Sequence, residues 1–334
     1  MTLDPLVSLL VAVVVLLIGT AVNRKVALLS KYNIPDAITG GLLFAAIASV
    51  VWVATDFRVA FDQTIKPVLL LMFFAGVGLC ADLSKLKQGG KALVIFLLVL
   101  LPFIIVQNAV GISVAKLLDL HPIFGLVGGS ITLVGGHGTG AAYAQRFAEV
   151  NNLQTVMELS MTVATLGLII GGIIAGPVAE YLIKRYNLRS QAVAGATTSR
   201  VEEAVPISPV GMAGALAGIL AAVVVGRWLA AKFSGGTITI PAFLWCMLLG
   251  VAIRNLVPFT GLRCDDRASD LISGVCLGLF LVMTMMALNL IEVALSAGPF
   301  LVILAAQVVV IVLYVVFVCF RFMGRDYEAA VTSA

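Results

Sequence analysis

The stretch FLVILAAQVVVIVLYVVFVCF at residues 300–320 contains no charged side chain. Coiled as an α-helix at about 1.5 Å per residue, it crosses the roughly 30 Å of hydrocarbon in a bilayer. LVSLLVAVVVLLIGTAV at 6–22 is nearly as long, and further apolar runs recur between glycines, prolines and charged turns. Together they predict nine spans, near 5–22, 37–54, 66–82, 92–118, 155–182, 211–232, 240–256, 270–290 and 298–321, plus a short apolar hairpin near 123–146. Composition agrees: with 61% of its 334 residues hydrophobic and 11% charged, the chain has too little polar surface for a water-soluble globule. The first run follows Asp4 and lacks both a basic leader and a small-residue cleavage site, so it reads as a retained helix.

Several function classes drop out. The five cysteines, 80, 246, 264, 276 and 319, stand singly, without metal-ligand or disulfide spacing. Two histidines and no cysteine cluster leave nothing to hold a haem or an iron–sulfur centre, so neither an enzyme nor a cofactor is expected. The net charge of +4 comes from bases in loops, where lipid and translocation account for them; no nucleic-acid partner is implied. Arg24, Lys25 and Lys31, then Lys85, Lys87 and Lys91, then Lys184, Arg185, Arg189 and Arg200 mark alternate loops as cytoplasmic. The intervening loops, with Asp56, Arg58, Asp62 and Lys66, are near neutral, which puts the N-terminus outside. Arg227 and Lys232 break the rule and are expected to snorkel to the outer interface.

The two halves resemble each other. GTAVNRKVALLSKYNIPDAITGGLLFAAI and VVVGRWLAAKFSGGTITIPAFLWCMLLGVAI share a helix, a basic end, a polar turn, Ile-Pro and a second helix. Pro35 matches Pro241, and Gln107 matches Gln307 at nearly the same offset. Because the first half starts outside and the second inside, the repeat is inverted, a construction common among secondary transporters. The reading is therefore an all-α membrane protein: a first repeat at 1–183 (five spans plus a re-entrant hairpin at 123–146), a cytoplasmic linker at 184–209, and a second repeat at 210–334 with four spans. Extending the offset puts the mate of His137 past Ala334, so the second repeat is expected to be incomplete and sodium-driven uptake by this chain to be small.

LVGGSITLVGGHGTGAAYAQ, residues 126–145, is the least helical part of the chain. Gly136, Gly138 and Ala141 fit a dinucleotide fingerprint, with Glu158 near the ribose-binding position, but that fold needs alternating strands and the neighbours here are spans. A helix over 123–134 rises about 18 Å, which brings the glycines near mid-membrane, where irregular backbone survives only against protein or a water-filled cavity. The helix expected to begin near Thr139 then offers unpaired N–H groups and a partial positive charge to a carboxylate. Gly128, Gly129, Gly171 and Gly172 read as helix-packing glycines.

Taken together, SITLVGGHGTGAA, VQNAVG, YNIP, QVVV and the closing RFMGRDYEAAV resemble the bacterial glutamate:sodium symporters, essentially from end to end. The resemblance implies sodium-driven glutamate uptake across the inner membrane, sodium as coupling ion, and a homodimer in the lipid bilayer. The alternatives are a non-transporting scaffold and a passive channel for small anions. Candidate substrate-binding residues are Gly135, Gly136, His137, Gly138, Thr139, Gly140, Gln107, Asn108 and Gln307; candidate sodium ligands are Ser130, Thr132, Glu158 and Thr162. Each has a plainer reading. The amides clamp helices, His137 is satisfied by a nearby carbonyl, Glu158 caps its helix, and Thr162 and Thr165 bond back to their own helix. Met283, Met285 and Met286 read as lipid or core filler, and Arg254 and Asn255 as an interfacial anchor.

Overall fold

The computed structural model describes residues 3–27, 29, 34–55, 60–84, 90–151, 153, 156–188, 207–233, 240–256, 265–287 and 290–324. Lys31, Asp56, Arg58, Lys85, Lys87, Arg189, Arg200, Cys264 and most of the 184–209 linker lie outside the described residues. Within them the chain is helical: α1 (Pro5–Lys25), α2 (Asp36–Thr55), α3 (Lys66–Cys80), α4 (Gly90–Leu117), α5 (Pro122–Leu126, continued by a π turn Val127–Ile131), α6 (Gly136–Asn151), α7 (Val156–Tyr186), α8 (Pro209–Lys232), α9 (Ala242–Leu256), α10 (Asp266–Met286) and α11 (Leu290–Tyr314, with a π turn Val315–Cys319). Helix starts carry the expected chemistry: the side chains of Asp4 and Ser208 accept from Leu6 N (2.9 Å) and Gly211 N (2.9 Å), each just ahead of a proline at the first helical position.

Seven helices, α1, α2, α4, α7, α8, α10 and α11, are long and apolar enough to cross a bilayer. The other two expected spans, α3 and α9, have 15 residues each and rise only roughly 22 Å. Backbone sets their limits, since α3 begins at Lys66-Pro67 and ends where Ala81 turns extended, and α9 follows Pro241.

The chain forms two compact units, and each draws helices from both halves of the sequence. The first unit holds α1–α3 and α8–α10. There α1 packs on α2 as α8 packs on α9, α2 packs on α10 as α9 packs on α3, and α1 meets α10 as α8 meets α3. Exchanging α1–α3 with α8–α10 maps each of these pairs onto another, whereas the contact of α8 with α10 has no counterpart between α1 and α3. Glycines set the contact distance: a methyl group on Gly40 would lie 2.2 Å from the Val15 carbonyl oxygen, and one on Gly250 2.3 Å from that of Ala75. Helix α10 runs through the centre of this unit with Met283, Met285 and Met286 all buried, so these methionines are core and not lipid-facing. Lys232 lies 4.8 Å over the Trp228 ring, an arrangement that suits a cation at a membrane interface.

Two polar clusters lock the helices of this unit. The Asp36 carboxylate accepts from Thr20 Oγ1 (2.7 Å) and Asn23 Nδ2 (2.6 Å), while Thr39 Oγ1 donates to Asn23 Oδ1 (2.8 Å). At the end of α9, Arg254 reaches Asp266 (3.0 Å) and Asp82 (3.4 Å), and Asn255 donates to the Ala81 carbonyl (3.0 Å) while accepting from Leu83 N (3.0 Å). Arg254 is only 14% exposed, so it ties α3, α9 and α10 together instead of anchoring the chain in headgroups.

The second unit holds α4–α7 and α11. Its hairpin is antiparallel: Val127 and Ala144 share one cluster with Ile123, Phe124, Phe147 and Ala148. The first arm is not the straight helix expected over 123–134, because Gly129 leaves helical space (φ −110°, ψ −129°) and a π turn follows Leu126. The second arm begins at Gly136, three residues before the expected Thr139, since Gly136 takes φ +67° and completes the turn there.

Two outcomes are expected. Arg254→Ala lowers stability by roughly 2–3 kcal/mol, read as thermal unfolding in detergent, because two carboxylates lose their charged donor. Gly135→Ala is more disruptive than Gly136→Ala in the same assay. A methyl on Gly135 would lie 2.6 Å from the Ile131 carbonyl oxygen, whereas one on Gly136 meets open space and adds only the backbone strain of about 1–2 kcal/mol.

Candidate functional site

The polar candidates fall into two groups, both in the second unit. The first lies where α4, α5 and α11 converge. Helix α4 runs antiparallel to α11, tied at one level by Tyr314, whose hydroxyl donates to the Val99 carbonyl (2.7 Å), and deeper by Gln307, whose Nε2 donates to the Gln107 carbonyl (2.8 Å). Ser130 Oγ donates to Asn108 Oδ1 (2.7 Å). The break at Gly129 is what admits these groups together: a methyl there would stand 3.2 Å from Gln307 Nε2 and 3.4 Å from the Gln107 carbonyl oxygen. Gly129 thus breaks the helix as well as allowing close packing, and Gly128 packs against Ile303.

Gln107 and Gln307 are completely buried, yet both polar atoms of the Gln107 side chain and Oε1 of Gln307 lack a hydrogen-bond partner. The two residues border a cavity of about 160 Å³ whose other walls are mainly aliphatic, from α7 and α11. A buried amide left unpaired is unfavourable, so this group is not a finished helix clamp.

The second group surrounds the hairpin tip. A second cavity, of about 270 Å³, is lined by Thr132, Gly136, His137, Ala164 and Gly171 among others. His137 Nε2 lies 3.1 Å from Thr165 Oγ1, and Thr165 donates its one hydroxyl proton to the Met161 carbonyl (2.8 Å). With the Thr165 proton on Met161, the imidazole donates from Nε2 in that tautomer and Nδ1 is its remaining polar atom. A threonine hydroxyl, not the expected carbonyl, satisfies this histidine. Gly135 and Gly140 admit no side chain, since a methyl on Gly140 would lie 2.6 Å from Ser160 Oγ; Gly138 is buried. Thr139 packs its Cβ against Gly135.

The two cavities share a wall made of Leu133, Gly167 and Gly171. Leu133 fills the notch at Gly167, where a methyl would lie 2.4 Å from its Cδ2. Gly171 borders open space in both cavities and Gly172 lines the second, so these two are wall residues and do not mediate the helix packing expected of them.

The hydroxyl protons of three proposed sodium ligands are each committed within the protein, which leaves their oxygens as acceptors. Ser130 bonds Asn108, Thr132 donates to the Val127 carbonyl (2.6 Å), and Thr162 donates to the Glu158 carbonyl (2.9 Å), the back-bonding alternative. Glu158 sits in the first turn of α7, where a carboxylate favours the helix dipole. Among the described residues no group of three or more His, Cys, Asp or Glu side chains could hold a metal ion. Sequence reasoning missed Ser160, which is fully buried with its hydroxyl unpaired against Gly140. Its position two residues before Thr162 puts it on a different face of α7, so periodicity from the threonines passes over it.

Comparison with known proteins places this geometry in context. A sequence model described as sodium/glutamate symporter matches residues 1–334. A sodium/glutamate symporter of Escherichia coli is 37% identical over 337 residues, covering 99% of this chain and 84% of the relative, and one of Shigella flexneri gives the same figures. A sodium/glutamate symporter of Haemophilus influenzae is 35% identical over 336 residues, 98% of this chain and 83% of the relative. The expectation of a second repeat cut short is not borne out by these matches. With its helices, multiple apolar spans and near-complete alignment, the chain belongs to the sodium/glutamate symporter family.

Proposed function

We propose that this chain carries glutamate into the bacterial cell across the inner membrane, coupled to sodium. The observation that carries the reading is the broken hairpin: helix α6 starts at Gly136 with its first N–H groups beside a cavity, in a unit otherwise built of apolar spans. In this reading the hairpin is re-entrant and its tip lies near mid-membrane, where preorganised N–H groups facing a low-dielectric cavity bind a carboxylate strongly. Gly135, Gly136, His137, Gly138, Thr139 and Gly140 form the anion end of the site; Gln107, Asn108 and Gln307 form its amide end. Sodium draws its oxygens from Ser130, Thr132, Glu158 and Thr162 together with carbonyls at the broken helix ends. The N-terminus faces the periplasm, the 184–209 linker faces the cytoplasm, the repeats are inverted, and the carrier is a homodimer.

Coupling follows from charge. Glutamate at neutral pH carries one net negative charge, and moving one elementary charge against the membrane potential costs about 2.3 kcal/mol per 100 mV. Co-transported cations offset that work and add the free energy of their own gradient. Purified protein in sealed liposomes is expected to accumulate labelled glutamate under an inward sodium gradient and to lose that accumulation when potassium replaces sodium. A passive anion channel would only equilibrate glutamate, with or without sodium. Gly136→Val and Thr139→Val are expected to abolish sodium-dependent glutamate binding; unchanged binding in both would overturn the assignment of the hairpin tip.

A further inference from the structure

We propose that the end of α8 that carries Arg227, Trp228 and Lys232 is a binding site for an acidic phospholipid. The inference rests on the membrane-spanning fold and stands whether or not the chain carries glutamate.

The two bases are the pair that break the loop-charge pattern, and nothing in their surroundings neutralises them. No acidic residue stands between Glu203 and Asp265, and among the described residues neither base forms an ion pair. The C-terminal dipole of α8 accounts for Lys232 in the last turn but not for Arg227, more than one turn earlier. Both bases are exposed, as is Trp228 at 57%. Five residues of helix separate the bases by about 7.5 Å along the axis, which lets an arginine fork and a lysine ammonium converge on one phosphodiester. Lys232 lies 4.8 Å over the Trp228 ring, and a cation held on an aromatic face keeps its N–H donors for a second partner.

The helix that carries these side chains is held on either side of them. Before them, α8 meets α9 at Gly226, where a methyl group would lie 2.7 Å from the Cys246 sulfur. Beyond them, Phe233 stacks on Trp245 of α9 with ring centroids 5.8 Å apart. The bases therefore stand on fixed backbone and present a preformed pair of charges.

What lies below the bases decides between a soluble anion and a lipid. Leu216, Leu220 and Val224 lead to Arg227 and Trp228 at intervals of three and four residues, so all five share one face of α8. The three aliphatic side chains are exposed, Val224 at 66%. From Leu216 to Arg227 this face runs about 16 Å, close to half the roughly 30 Å of hydrocarbon, the depth that the tails of one leaflet fill. A partner that is anionic at one end and hydrocarbon for that depth is a phospholipid with net negative charge. A zwitterionic lipid carries its own cation beside the phosphate and gains less from the two bases.

The test titrates phosphatidylglycerol or phosphatidylcholine of identical acyl chains into the purified protein in an uncharged detergent and reads the rise in Tm. Half the maximal rise is expected at about 30-fold less phosphatidylglycerol than phosphatidylcholine, from about fivefold per base. Arg227→Gln combined with Lys232→Gln is expected to shrink that preference to within about threefold, whereas Lys184→Gln combined with Arg185→Gln, at the end of α7, leaves it unchanged. The preference is a ratio measured within each variant, so a change in folding stability alone does not imitate its loss. Glycerophosphoglycerol, the same head without tails, is expected to leave the Tm where it was. Wild-type protein that responds equally to both lipids overturns the proposal, and so does a preference that survives loss of Arg227 and Lys232. An equal response to the tail-free head overturns it in favour of a soluble anion. Dissociation of an oligomer by the same pair of substitutions, with the lipid preference intact, overturns it in favour of a contact between copies of this chain.

Discussion

Inside hydrocarbon a peptide N–H or carbonyl has no water to turn to, and everything in this structure follows from where such groups find partners. The long helices satisfy their own backbone. They can then approach one another closely, and it is carbonyl oxygens and Cα atoms that meet where Gly40 faces Val15 and Gly250 faces Ala75. Without a hydrophobic drive between helices, dispersion across such close contacts and a few buried polar bonds supply the hold. The same constraint makes the broken hairpin informative. In the proposed re-entrant arrangement, the N–H groups that open α6 at Gly136 are tolerated because a cavity lies beside them.

The buried side-chain polar groups sort by whether they are satisfied. In the first unit, Thr20, Asn23, Asp36 and Thr39 form a bonded network, and Arg254 is matched by two carboxylates. Such clusters specify how helices align, and breaking one leaves an uncompensated group. In the second unit, Gln107, Gln307 and Ser160 are equally buried and keep unpaired atoms. Unpaired buried atoms occur in the first unit as well, at Trp245 Nε1 and Arg254 Nε, so the two units differ in degree and not in kind.

Much of this was legible in the sequence. The apolar runs gave the helices, and the matched Ile-Pro turns and glutamines anticipated the paired packing of α1–α3 with α8–α10. The glycine run at 135–140 marked the turn, and the Gln107–Gln307 match marked two residues that do touch. Depth and partner choice were not legible. Composition cannot say that Arg254 turns inward to Asp82 and Asp266, because a positive residue at a helix end reads the same whether it meets lipid or carboxylate. Nor can periodicity place the backbone break at Gly129 when another glycine, packed against Ile303, stands beside it. The compact units also join segments distant in the sequence, which apolar runs read in order could not foretell.

The fit of Leu133 into the notch at Gly167 has its own consequence. It is a peg in a socket, cut by the absence of a single methyl group, and it seats the hairpin against α7 by shape, beside the polar contact of His137 with Thr165. Neither partner carries charge or a donor, so the alignment is indifferent to ionic strength, to protonation and to which ions occupy the neighbouring space. A change of charge or protonation at His137 therefore leaves this one point of contact between the hairpin and α7 in place.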